Sequence, residues 1–108
     1  MPGLSTVINQ YITQSLPFST SIKFDKLINI YAFHTVVGPI AFTSNATGAV
    51  NGNEATVQLI ANGVNAPTFA AEFKNVSGTY DNRAGIINII QFKKIGDLYW
   101  YSIIQEYV

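Results

Sequence analysis

The sequence predicts an all-β fold: an antiparallel β-sandwich, jelly-roll-like, of about seven to eight strands, preceded by a short N-terminal segment that is helical or extended. Three observations carry this expectation. Charged residues make up only 11% of the chain, where an ordinary soluble domain carries about 25%. Neutral polarity takes their place: 10 Asn, 5 Gln, 7 Ser and 9 Thr stand beside 14 Ile, which suits pleated, half-buried strands joined by Asn- and Gly-containing turns. From residue 21 onward, short β-branched and aromatic runs alternate with turn signals. No ten-residue helical pattern separates them, which disfavours a parallel α/β sheet.

The 108 residues allow one modest core and one domain. Residues 1–20 read as a segment of their own. Leu4, Val7, Ile8, Tyr11 and Ile12 fall at helical spacing, and Pro17 closes the stretch; the β-branched residues and the missing capping box argue for an extended form. So short an element is not stable alone and must pack on the domain or on copies of itself. Residues 21–108 form the β-domain, with runs at about 22–24, 27–34, 40–43, 55–61, 68–73, 86–93 and 98–106. Gly38-Pro39, residues 44–53, Asn62-Gly63, residues 75–85 and Gly96-Asp97 supply the turns.

The closing hairpin is the best-defined element. Ile86 to Lys93 runs out, Gly96 suits the left-handed site of a short loop, and Leu98 to Gln105 returns. Side-chain alternation puts Tyr99, Tyr101 and Ile103 on one face of the return strand and Leu98, Trp100 and Ile104 on the other. Neither face is polar, and the outgoing strand repeats the pattern with Ile87 and Ile89 opposite Ile86 and Ile90. Two apolar faces require a second cover, either the N-terminal segment or another subunit. Leu4, Ile8, Tyr11, Ile87 and Ile89 are therefore the candidate residues of an oligomer interface.

The same inventory excludes most chemistries. Six Lys+Arg balance six Asp+Glu, and only Lys93-Lys94 are adjacent cations, so the counterion release that drives nucleic-acid binding is missing. No apolar run approaches the ~20 residues that span a bilayer, and no signal-peptide pattern is visible, so no membrane insertion is expected. Without Cys there is no disulfide and no thiolate nucleophile or ligand. His34, the single histidine, reads as a structural residue at a strand end, and the acids are scattered singly. Glycines follow no phosphate-loop pattern. The expectation is a non-enzymatic protein with no metal and no cofactor.

One set is suited to binding. Tyr80, Tyr99 and Tyr101 with Asn82 offer ring faces and amide groups for stacking on and pairing with a sugar, and the scarcity of charge points to a neutral ligand held on an outer surface. Trp100 is assigned to the core, as the most valuable filler in a domain of this size.

The order Asp25, Asn29-Ile30-Tyr31, Gly38-Pro39-Ile40-Ala41-Phe42-Thr43, then Glu54 to Ile60, Ala66-Pro67-Thr68-Phe69, Gly85 to Phe92 and the ending Gly96-Asp97-Leu98-Tyr99-Trp100-Tyr101-Ser102 resembles the small β-domains at the tips of bacteriophage tail fibres and other virion appendages, over roughly residues 20–106. The resemblance implies a β-sandwich, a homo-oligomer with a trimer favoured, other virion proteins and host-surface glycans as partners, and a virion or extracellular location. It implies no catalytic residues. The alternative reading is a monomeric carbohydrate-binding module.

Overall fold

The structure, a computed structural model, describes residues 11–14, 22, 24, 27–43 and 49–106. Among them are eight strands and no helix: β1 (Tyr11–Gln14), β2 (Ile28–Thr35), β3 (Ala41–Phe42), β4 (Glu54–Ile60), β5 (Thr68–Phe69), β6 (Phe73–Ser77), β7 (Ile87–Ile95) and β8 (Leu98–Glu106). Six form one sheet in the order β1-β2-β4-β7-β8-β6, and β3 pairs with β5 in a second.

The strand-rich class agrees with the sequence, but the sheet is mixed rather than antiparallel. The pairs β4–β7 and β7–β8 are antiparallel, whereas β1–β2, β2–β4, β6–β8 and β3–β5 are parallel. Parallel neighbours need a crossover of about a dozen residues or more. Here β3 lies in sequence between β2 and β4, and β7 between β6 and β8. The absence of helical patterns between runs therefore did not exclude parallel pairing.

Two element boundaries also differ. The run at 68–73 is cut in two, because the chain turns at Ala71-Glu72 and the Phe73 N–H donates to the Ala70 carbonyl (3.0 Å). Its second half opens β6, which continues into residues expected to be loop. Nothing in Phe73-Lys74-Asn75-Val76-Ser77 alternates cleanly. The ladder to β8 makes it a strand, with partners from Phe73–Tyr99 to Ser77–Ser102. Of the helical reading over 4–12, residues Tyr11 and Ile12 instead lie in β1, whose backbone pairs with β2 from Tyr11–Ile28 to Gln14–Tyr31; its remaining positions lie outside the described residues.

One face of the large sheet carries the core. Strict alternation buries Ala55, Val57 and Leu59 on β4, Ile90 and Phe92 on β7, Tyr99 and Ile103 on β8, Phe73 on β6 and Tyr31 on β2. Ile22, Phe24, Val36, Ile40 and Phe42 close over them. The β3–β5 pair packs through its rings: Phe42 lies 5.4 Å from Phe92, and Phe69 stacks on Tyr101 at 4.2 Å with 10° between planes. Such offset stacks and tilted pairs add about 0.5–1.5 kcal/mol each beyond area burial.

Polar pins fix the connections. Asn53, 5% exposed, accepts the Val50 N–H on Oδ1 (2.5 Å), while its own carbonyl receives the Lys94 N–H (3.0 Å). Asn51 Oδ1 accepts the Gly96 N–H (2.7 Å), so the 50–53 turn is tied to the β7–β8 loop. Asn88, with no exposed surface, accepts the Asp81 N–H (2.9 Å) and Gln105 Nε2–H (2.8 Å) and donates to the Asp81 carbonyl (2.9 Å). That one amide holds the β6–β7 connection against two strands.

Candidate functional site

Because strand side chains alternate, burying Tyr99, Tyr101 and Ile103 sends Leu98, Trp100, Ser102 and Ile104 to the opposite, outer face. The register lines up their neighbours. Trp100 is partnered by Lys93 on β7 and Lys74 on β6, Lys93 in turn by Glu54 on β4, and Glu54 by Ile28 on β2. One step along, Ser102 lies beside Gln91, and Gln91 beside Thr56. Trp100, Lys93, Glu54, Ile28, Ser102, Gln91 and Thr56 line an open concavity of about 570 Å³, with Tyr101 in its wall, Val76 and Ser77 on its β6 side and Ile95 at the hairpin end. Lys74 stands beside Trp100 in the register without lining it. Its centre is the only tryptophan of the chain, partly exposed.

The other end of the outer face gathers isoleucines, with Gln58 and Glu106 beside them. Ile89 partners Ile104, and Ile87 partners Ile60. Ile104 is 54% exposed. Ile87 and Ile89, the interface candidates on β7, thus stand together and partly exposed on this face. Of the other interface candidates, Leu4 and Ile8 lie outside the described residues, and Tyr11 sits in β1.

The ligand candidates named from sequence do not gather. Tyr99 is 5% exposed, packed between Phe24 (5.1 Å) and Phe73 (4.9 Å), with Lys94 Nζ 5.9 Å from its ring centre. Tyr101 is stacked on Phe69 and belongs to the same inner face. Tyr99 is a core residue, Tyr101 is partly buried against the core and also lines the concavity, and Trp100, assigned to the core, lies on the open face. Tyr80 and Asn82 sit in the β6–β7 connection, where the Tyr80 hydroxyl and Asn82 Oδ1 are buried without a hydrogen-bond partner. Burial raises the Tyr80 phenol above its ordinary range, and burial with the charges of Glu72 and Asp97 does the same to Tyr99. For Tyr101 burial again dominates, opposed by a hydrogen bond from Asn75.

His34 lies in β2 beside Leu59, next to a register shift. Among the described residues no three His, Asp or Glu side chains converge as metal ligands, and none forms a helix long and apolar enough to cross a membrane. What the site offers is an indole face, the Gln91 amide, hydroxyls from Thr56, Ser77 and Ser102, the Lys93 ammonium and the Glu54 carboxylate, with the Lys74 ammonium next to the indole in the register. The sequence missed it because Glu54, Lys74, Lys93 and Trp100 lie on four different strands and only the pairing register brings them into one row. No protein-family model, curated protein or solved structure matches the chain.

Proposed function

We propose that the chain is a non-enzymatic glycan-binding domain, working as a homo-oligomer in a virion appendage, with the outer-face concavity as its attachment site. The observation that carries this reading is Trp100: a lone, partly exposed indole set in an open hollow with the hydrogen-bonding side chains of Thr56, Ser77, Gln91 and Ser102 beside the Lys93–Glu54 pair. A sugar ring presents an apolar C–H face to an aromatic plane and hydroxyls to amides at its rim. The hairpin resemblance to tail-fibre tips supplies the virion setting. Packing of β3–β5 over the large sheet supports a two-layer, sandwich-type arrangement of the kind such tips use.

Assembly and attachment do not compete for the same surface. The isoleucine-rich end with Ile60, Ile87, Ile89 and Ile104 is suited to a subunit contact, and the Trp100 end stays open. Several weak sites on one oligomer gain about 10²–10⁴ in avidity without a new contact.

The test is a glycan array probed with the intact protein and with Trp100→Ala, together with sedimentation of the wild type. Retention lost with Trp100 and a solution mass that is a multiple of 11.8 kDa support the reading. Retention by a stable monomer favours the carbohydrate-binding module, which the exposed indole also suits. No retention on any glycan overturns the attachment role.

A further inference from the structure

Resting on the glycan reading of this site, we propose that its ligand is an acidic sugar, a ring bearing a carboxylate or sulfate, seated on Trp100 with the anionic group held by Lys74 and Lys93. The register makes the case. Lys93 partners Trp100 across the antiparallel β7–β8 pair and Lys74 partners it across the parallel β8–β6 pair, so both lysines rise on the indole's own face. Neighbouring strands lie about 4.8 Å apart, and both side chains are exposed. Two of the six cations of the chain therefore bracket its one tryptophan.

The charges around that row do not cancel. Glu54 stands opposite Lys93 on its far side. Lys74 has no acid as a cross-strand partner, because β6 is the last strand of the sheet and the outer-face residues of β8 next to Trp100 are Leu98 and Ser102; Glu72 stands two residues before it in the chain. The row Glu54, Lys93, Trp100, Lys74 thus carries one net positive charge, placed on the β6 side of the indole. Edge protection is the common use of a lysine on a strand such as β6. Lys93 sits on an interior strand, between Glu54 on one side and the indole on the other. An anionic group satisfies both lysines, and Gln91, Ser102 and Ser77 remain for the hydroxyls.

Scarce charge by itself points to a neutral ligand, since twelve charged residues spread evenly would build no anion site. The fold concentrates three of them around one ring.

The experiment compares matched glycans on one array: sialylated, uronate-containing and sulfated chains, each beside its desialylated, methyl-esterified or desulfated counterpart. The probes are the wild type, Lys74→Gln, Lys93→Gln and Trp100→Ala, with circular dichroism to confirm folding. We expect the wild type to favour acidic members about tenfold at low salt, each lysine variant to lose about three- to fivefold of that preference, and neutral counterparts to be unaffected by the lysine changes. Raising the ionic strength toward 1 M, where screening acts within about 3 Å, should remove the preference. Equal retention of acidic and neutral members with Trp100→Ala inactive overturns the acidic-ligand proposal and leaves the glycan reading standing. Retention unchanged by Trp100→Ala, or absent altogether, overturns both.

Discussion

Gly78→Ala, compared with Gly85→Ala, tests a close backbone approach between the chain after β6 and β8. The two glycines have nearly the same left-handed backbone, φ +80 and φ +89, so an alanine at either position meets the same conformational penalty, about 1–2 kcal/mol. Their surroundings differ. A Cβ at Gly85 has nothing within 4 Å, whereas one at Gly78 lies 1.9 Å from the Ile103 carbonyl oxygen and 2.9 Å from its carbon. Both atoms are backbone, so no rotamer change relieves the overlap. An ordinary contact begins near 3.4 Å, and the chain after β6 must part from β8 by about 1.5 Å to reach it, which pulls hydrogen bonds of normal length beyond their working range. Losing two or three, at about 1 kcal/mol net each, brings the expected cost for Gly78→Ala to about 3–5 kcal/mol, against about 1–2 for Gly85→Ala. Total stability for such a domain is about 5–15 kcal/mol. Urea unfolding of the two variants beside the wild type gives both numbers. Equal destabilisation would refute the argument that the 78–86 connection is seated directly on the β8 backbone.

Asn88→Ala should cost about 2–4 kcal/mol in the same assay, because the Asp81 N–H and carbonyl and the Gln105 amide lose a fully buried partner; a change below 0.5 kcal/mol would show the pin to be dispensable. Alkaline stability follows from the tyrosines. Tyr80, Tyr99 and Tyr101 are all raised above the ordinary 10.0, so below that pH both states keep their protons and stability is flat. Above it the unfolded chain ionises first and stability falls as pH rises toward the folded-state values. A melting series across pH 8–12, read with phenolate absorbance, should show that break near pH 10. A decline beginning well below it would contradict the burial of these rings.

The hairpin shows how far the sequence could be read. Gly96 sits at φ 63 in a two-residue loop between Ile95 and Leu98, and the split of β8 into a Tyr99-Tyr101-Ile103 face and a Trp100-Ile104 face follows from alternation alone. Which face is buried does not. A period of two assigns residues to sides and says nothing about which side meets a cover when both are apolar. The choice is made far away in sequence, by Phe42 and Phe69 on a pair of two-residue strands too short to leave a pattern. The same limit hid β6. Its residues show no clean alternation, and the ladder that orders them is supplied by β8. Alternation alone therefore leaves Tyr99 open as a ligand contact and Trp100 as core, the reverse of their places in the fold, while Tyr101 packs on the core and also lines the concavity.

That reversal follows from how the rings pack. The inner face is built of phenylalanine and tyrosine rings at 4.2–6.3 Å from one another, and a phenol fits among them, as Tyr101 does with a hydrogen bond from Asn75. An indole is larger and carries an N–H that must find a partner when buried. On the outer face, with Lys74 and Lys93 to either side and solvent above, neither demand arises. The residue that would be the costliest to accommodate in this aromatic layer stands where its ring is available to something else. The same placement makes the single tryptophan a built-in reporter, whose fluorescence should respond to a ligand on the outer face and not to one in the β6–β7 connection. Saturable quenching by a glycan in the wild type, lost in Lys74→Gln when the quencher is acidic, would tie binding to the row of four residues across β4, β7, β8 and β6; quenching that persists unchanged in that variant would place the ligand elsewhere.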